Sequence, residues 1–407
     1  MPGSRPRRGR LRSLLCPGFC SLLVAVAGCS GGEASPTPVA TPVPVSSSPS
    51  STPTLGPTLA PSLTPSPPTS LSGTFTRAGS MGAARLTAVR LEDGRVLQVG
   101  GRDSSGSALA TAELFDPTSG AFSSVGPMES PRLDPTATVL GDGRVLVAGG
   151  EDNTPEAQAS AELFDPTSAT FTPTGSMTVA RAGATSFLLQ DGNVLVFGGN
   201  DANGVSVSSA ELYDPRSGKF SVTGSMSQGR GSFGATELSD GRVLVVGGCC
   251  TGSSLYASAE LYDPTSGAFQ TAGSMLTARM EPALATMADG RVLIAGGNGS
   301  AVAEDPLASA EVFDPRTMAF TSTGSMATAR DGMTATQLSD GRVLVAGGAT
   351  DRSAELYDPR AGAFGPTGRM IVYRTGLATA TLLADGRVYI AGGGSGDDAN
   401  SAEIYQP

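Results

Sequence analysis

The chain has 407 residues, with 37 acidic against 27 basic side chains, 55 Gly, 29 Pro, five Cys and no His or Trp. Without imidazole, the usual zinc hydrolase ligand sets and Ser-His-Asp triads are excluded. A formal charge of −10 with a single Lys, Lys219, repels nucleic acid and anionic lipid surfaces, so no nucleic-acid partner is expected.

The first element is a processing signal. Arg5, Arg7, Arg8, Arg10 and Arg12 precede an apolar stretch from Leu14 to Ala27, which ends in Val26-Ala27-Gly28-Cys29. The stretch is short for a stable span. The small pair before Cys29 and the polar SGGE after it resemble a bacterial lipobox. That resemblance implies a lipoprotein signal peptide over 1–28, cleavage before Cys29 and acylation of its thiol. An ordinary signal peptide or short anchor is the rival. Cleavage removes five Arg and no acid, leaving a charge near −15. Residues 29–72, with runs such as PTPVATPVPV, favour extended polyproline conformations and read as a disordered stalk. At about 3.1 Å per residue it would reach on the order of 100 Å. The expected location is extracytoplasmic, lipid-anchored to the bacterial cell membrane or outer membrane, with the membrane met through the lipid alone.

From residue 73 onward three phrases recur. One is an Asp-Gly turn followed by an apolar run and a Gly pair, as in DGRVLQVGG from Asp93. The second is AELFDP or AELYDP, as at Ala112 to Pro117. The third is an aromatic followed by G-x-M-x-x-x-R, as from Phe122 to Arg132. The turns begin at Asp93, Asp142, Asp191, Asp240, Asp289, Asp340 and Asp385, with spacings of 49, 49, 49, 49, 51 and 45. Asp-Gly between apolar runs predicts a hairpin, because Gly accepts the positive φ of a tight turn. Runs such as VLVAGG do not alternate, so both faces of that strand are expected to be covered. The Gly pair permits close backbone approach. Pro ends the AELYDP strand. Each unit is therefore four antiparallel strands, a to d: one propeller blade.

The last repeat has a, b and c but ends at Pro407 without d, whereas an orphan d strand, GTFTRAGSM, occupies residues 73–81. The expectation is an all-β, seven-bladed propeller over 73–407, closed by this N-terminal outer strand joining the C-terminal blade, which removes an open sheet edge. The phrases resemble the kelch repeat. The variant DGRVLVAGG…AELYDP is most similar to the propeller of galactose oxidase-like proteins. The usual Trp of strand d is Phe here, at Phe122, Phe171, Phe220, Phe269, Phe320, Phe364 and Phe75. Enzymes of that family hold copper with Tyr and His beside a Tyr–Cys crosslink. With no His, this chain cannot supply such a ligand set, so no cofactor and no metal are expected.

Most charges belong to the repeat. Arg85, Arg132, Arg181, Arg230, Arg279, Arg330 and Arg374 recur once per blade, as do Glu113, Glu162, Glu211, Glu260, Glu311, Glu355 and Glu403. A buried bidentate pair in each blade is one reading. An axial Arg ring for a polyanion is the other. The recurrent Met, from Met81 to Met370, is read as packing, with Cu(I) binding by clustered thioethers as its rival.

Variation is confined to the b–c connections, which lie at the same blade end as the d–a connections. That face is the expected ligand face. Its most distinctive loop is CCTGSSLYAS, where Cys249 and Cys250 would form a vicinal disulfide or remain two small side chains, with Tyr256 nearby. Tyr373 is the other aromatic in loop-like sequence. Asp152, Asp201, Asp305, Asp351, Asp397 and Asp398 make the face acidic without the spacing of a calcium loop. No catalytic residue stands out. The reading is a non-catalytic, monomeric, surface-displayed binding or scaffold propeller for a protein or a cell-envelope glycan. The alternative is an enzyme acting on cell-surface polysaccharide without copper.

Overall fold

The computed structural model describes residues 73–407 except 86, 155, 251, 377 and 395. The signal segment, Cys29 and the linker lie outside the described residues. Seven four-stranded antiparallel sheets follow one another in the ring order the repeats dictate. Blade 1 runs a, Thr87–Arg90; b, Val96–Val99; c, Ala112–Asp116; d, Ala121–Ser124. In blade 7 the strands Ala378–Leu382, Val388–Gly392 and Ser401–Gln406 are completed by Thr74–Ser80 from the other chain end. Phe75 pairs with Tyr405 and Arg77 with Glu403 in that antiparallel closure. The fold is a seven-bladed β-propeller.

Strands a of neighbouring blades pack side by side around the axis. Strands b are buried throughout, as their unbroken apolar runs require. The core is divided into seven apolar clusters, one at each junction between blades. Leu97, Val99 and Leu114 of blade 1 meet Val145, Val147 and Phe164 of blade 2, for example. At the closing junction Ala78, Ile404 and Tyr389 meet Val96 and Phe115. Each cluster holds one repeat Met, from Met81 to Met370, so the thioethers are spread around the ring as packing groups.

The Gly pair welds blade to blade. The second Gly donates its N–H to the carbonyl of the next blade's Arg: Gly101 to Arg132 at 2.9 Å, Gly150 to Arg181 at 2.8 Å, Gly297 to Arg330 at 2.9 Å. A Cβ on Gly100 would lie 2.2 Å from the Arg132 carbonyl oxygen, and Gly100 has φ +62°. Only Gly fits this approach.

The junctions also differ in a matched way. Strand c carries Tyr in blades 3, 4, 6 and 7, and each hydroxyl bonds a Thr that follows strand d of the preceding blade. These pairs are Thr174 with Tyr213, Thr223 with Tyr262, Thr323 with Tyr357 and Thr367 with Tyr405, at 2.7–2.9 Å. Where strand c carries Phe115, Phe164 or Phe313, the facing positions are Ala78, Val125 and Ala272, which join the same apolar clusters. Buried hydroxyls are thus satisfied, and apolar rings meet apolar partners.

Candidate functional site

The end of each blade that carries the d–a and b–c connections is organised by the repeat Arg and Glu. All seven Arg are buried. Each pairs with the Glu on strand c of the blade it leads into. The N–O distances are 3.1 Å for Arg85–Glu113 and Arg132–Glu162, 3.3 Å for Arg181–Glu211, 2.9 Å for Arg230–Glu260 and Arg279–Glu311, 3.2 Å for Arg330–Glu355 and 3.0 Å for Arg374–Glu403. The guanidinium also donates to two backbone carbonyls, as Arg230 Nη1 does to Gly247 and Ser258. The carboxylate in turn accepts from the backbone that follows the repeat Met, as Glu211 does from Thr178 and Val179. One ion pair therefore holds strand b, strand c and the d–a connection together. These Arg are committed to the scaffold, so they form no exposed axial ring.

The next layer faces the axis. Residues following the Gly pair bridge the connection that leads into strand a: Arg102 with Ala84, Glu151 with Leu133, Asn200 with Ala182, Cys249 with Gly231 and Asn298 with Met280. Two residues after the Arg, the backbone is left-handed in blades 2 to 6. Gly183 and Gly332 fill that position in blades 3 and 6, whereas blades 2, 4 and 5 place Asp134, Ser232 and Glu281 there at φ 49°, 50° and 52°. Neighbouring copies join by backbone hydrogen bonds, Gly183 N–H to Asp134 at 3.3 Å and Glu281 N–H to Ser232 at 2.7 Å.

At two of these three left-handed positions around the axial mouth the side chain is a carboxylic acid. Burial pushes the Asp134 carboxyl up, opposed by Arg102. Burial, and then the Asp134 charge, raises Glu151. Burial and Asp331 raise Glu281, whose carboxylate accepts from Ser232 Oγ at 3.3 Å. These mouth acids are missing from the sequence-derived candidates. The available signal was a Gly position of the repeat filled by a polar residue in other blades.

The sequence-derived loop candidates separate. Cys249 is buried and disulfide-bonded. It opens a two-stranded hairpin, Cys249–Cys250 with Gly252–Leu255, that no other blade has among the described residues. The Cys250 side chain lies outside what the structure describes. Tyr256 is half-buried, with the Arg230 guanidinium 5.4 Å from its ring centre, so it packs on the scaffold pair rather than standing clear as a ligand platform. Tyr373 is 48% exposed, with the Arg352 guanidinium 4.9 Å from its ring centre. Of the loop acids, Asp152 is tied up in its own turn by Thr154, and Asp201 by Asn203 and Val205. Among the described residues, no three Cys, Asp or Glu side chains gather closely enough to hold a metal ion. A cleft of about 430 Å³ lies between Ser130-Pro131 and the blade-2 loop at Asp152, Asn153, Thr154 and Gln158.

With this geometry in place, the comparisons are specific about fold. A family model described as the Kelch motif matches residues 184–227, which is blade 3 from its first strand to the residue after Met226. A fungal alcohol oxidase of the AA5 family, solved with copper, superimposes with a TM-score of 0.63 at 19% identity, covering 83% of this chain and 76% of its own. A protein named YjhT superimposes with a TM-score of 0.54 at 13% identity, covering 70% of this chain and 98% of its own. No curated protein matches in sequence. At such identities the structural likeness speaks to the fold. The chain is a seven-bladed propeller with a match to the Kelch motif in blade 3, and it shares its fold with both solved structures. The copper of the fungal neighbour does not fit the donor set here, since the chain has no imidazole.

Proposed function

We propose that this chain is a non-catalytic binding or scaffold propeller that recognises a protein or a cell-envelope glycan through its b–c and d–a connections. It would be displayed as a monomer at the cell surface on the residue 29–72 stalk, anchored by acylated Cys29. One observation carries this reading. The turns at the opposite face keep one form, whereas the b–c connections run from five residues at Ala349–Ser353 to twelve at Asn298–Ser309. Repeat proteins vary where they contact ligands. The test is a glycan array and an affinity pull-down from envelope extract with the full chain. Binding that is lost when the b–c loops are replaced by a uniform loop supports the reading; binding that survives the replacement contradicts it.

The second reading, an enzyme on cell-surface polysaccharide without copper, is favoured by the raised carboxyls of Asp134, Glu151 and Glu281. A pair of neighbouring carboxyl groups is what glycosyl transfer to water requires, and Asp134 lies close enough to Glu151 for its charge to act on it. Polysaccharide hydrolysis by the chain, abolished by Asp134→Asn or Glu151→Gln, would establish it over the binding role.

A further inference from the structure

We infer that the buried pair Gln98–Tyr389 is a key for ring closure, which lets the open face of blade 1 accept blade 7 and disfavours its docking on a purely apolar blade face. Neighbouring b strands meet across each junction through one equivalent pair of positions. At six junctions a Leu of one blade shares an apolar cluster with a Val or Ile of the next, as Leu97 does with Val147 and Leu344 with Ile390. The seventh junction is the one where the two chain ends meet. There Tyr389 takes the Leu position and Gln98 the Val position, and Gln98 Nε2 donates to the Tyr389 hydroxyl. Both residues are 0% exposed, and they lie 291 positions apart in the chain.

Stability does not account for the pair. Exchanging two buried polar partners for apolar groups of the same shape is nearly neutral or stabilising. The Gln98 side-chain oxygen has no partner among the described residues, so even the correct junction leaves part of the amide unsatisfied. What such a pair adds is discrimination, since each group is satisfied by the other and stranded against anything apolar. Tyr389 also stacks on Phe115 of blade 1, with ring centres 4.5 Å apart, so its hydroxyl reaches the amide in one orientation. Burial raises the phenol pKa, with Arg374 and Arg85 opposing and Glu113 adding to the shift, so the hydroxyl keeps its proton.

Discrimination counts because blade 1 is made first and its open face is covered last. Until the final repeat is in place, the other open end is the blade-6 face with Leu344. A ring closed one blade early would set Gln98 against Leu344. Contact with an unfinished second copy would set it against the same kind of side chain. Both leave the amide buried and unpaired. Blade 7 alone brings a hydroxyl to that place.

The experiment refolds the full chain from urea at several concentrations, reads monomer recovery by size-exclusion chromatography and measures Tm on the recovered monomer. The double variant Gln98→Leu with Tyr389→Phe removes both polar groups and keeps the ring on Phe115. Its monomer should melt at or above the parent. Its monomer recovery at about 10 μM should nevertheless fall about twofold or more, the loss going into oligomers and growing with concentration. Gln98→Leu and Tyr389→Phe alone should each melt below both the parent and the double variant, a coupling that reports the bond. Leu146→Met, a change of similar size at an ordinary junction, should match the parent in recovery. Recovery of the double variant equal to the parent's at every concentration overturns the key. Single-variant losses that simply add in the double variant overturn the pairing. A double variant that melts well below the parent, or does not fold, overturns the inference as well, because the pair would then serve stability.

Discussion

Every blade except blade 3, where Asn193 takes the place of the hairpin Arg, carries an Arg–carboxylate pair at both of its ends, and the two pairs are alike in distance and opposite in surroundings. At the ligand-face end, Arg230 and Glu260 meet at 2.9 Å with side chains 0% and 4% exposed. At the hairpin end, Arg242 and Asp240 meet at 2.7 Å with side chains 30% and 50% exposed. The buried pair must replace the hydration of both ions, and two backbone carbonyls, two Ser hydroxyls and a backbone N–H supply most of it, while Arg230 Nε is left without a partner among the described residues. The exposed pair is solvated on its own and only trims a turn. Equal separations therefore carry unequal consequences, and the surroundings decide which end holds the blade together.

The most drastic way to break this comparison disturbs both ends of one blade. Deleting residues 73–81 removes the strand paired with Ser401–Gln406 and strips Ala78 and Met81 from the closing cluster. A large fall in Tm, with soluble aggregates in size-exclusion chromatography, is expected; an unchanged melt would contradict the closure. Next comes Arg230→Ala, which leaves Glu260 buried without its counter-ion. It should cost about 3–5 kcal/mol in urea unfolding. A neutral buried pair supplies an intermediate case. Thr174→Val strands the Tyr213 hydroxyl and should cost about 1–3 kcal/mol, most of it recovered in the double variant with Tyr213→Phe.

The axial acids sharpen the comparison through pH. Glu281 has its folded-state pKa raised, by burial first and Asp331 second. Such a group favours the fold most below its unfolded value of about 4.3, and that contribution falls as pH rises through the folded pKa. Glu281→Gln should thus melt higher than the parent at pH 7 and together with it at pH 4. Asp240 has the reverse sign: hydrogen bonding to Arg242 lowers its pKa, so its contribution is present above about pH 3.9 and fades below it. The smallest effect belongs there. Arg242→Ala should cost about 0.2–1 kcal/mol, less at high salt.

The ring, its blade count, its closing strand and the recurrence of Arg and Glu were legible in the sequence because each is copied seven times. Repetition turns a weak local signal into a phase. The partner of each Arg required the fold, since Arg230 and Glu260 are thirty residues apart and meet only when strand c lies beside the connection into strand a. The mouth was harder to read. Asp134, Ser232 and Glu281 occupy a position where Gly183 and Gly332 mark a left-handed backbone, and that equivalence is visible only after the repeats are aligned. Tyr256 and Tyr373 looked alike as loop aromatics. Their difference comes from the neighbour beneath each ring, and neither spacing nor composition encodes it. The Cys249–Leu255 hairpin read as plain loop, because a two-residue strand beside Gly252 carries no alternation.

The hydroxyl bonds that cross the junctions bear on how such a ring could grow. Blade 3 begins its match with Tyr213 and ends it with Thr223, and blade 6 does the same with Tyr357 and Thr367. A tandem copy of either would greet itself with a complete bond. Blade 2 offers Phe164 at one side and Thr174 at the other, so its duplicate would leave a hydroxyl facing a phenyl ring. Genetic duplication of this propeller is thereby restricted by sector, and two of the seven are already written to follow themselves with their hydroxyls paired.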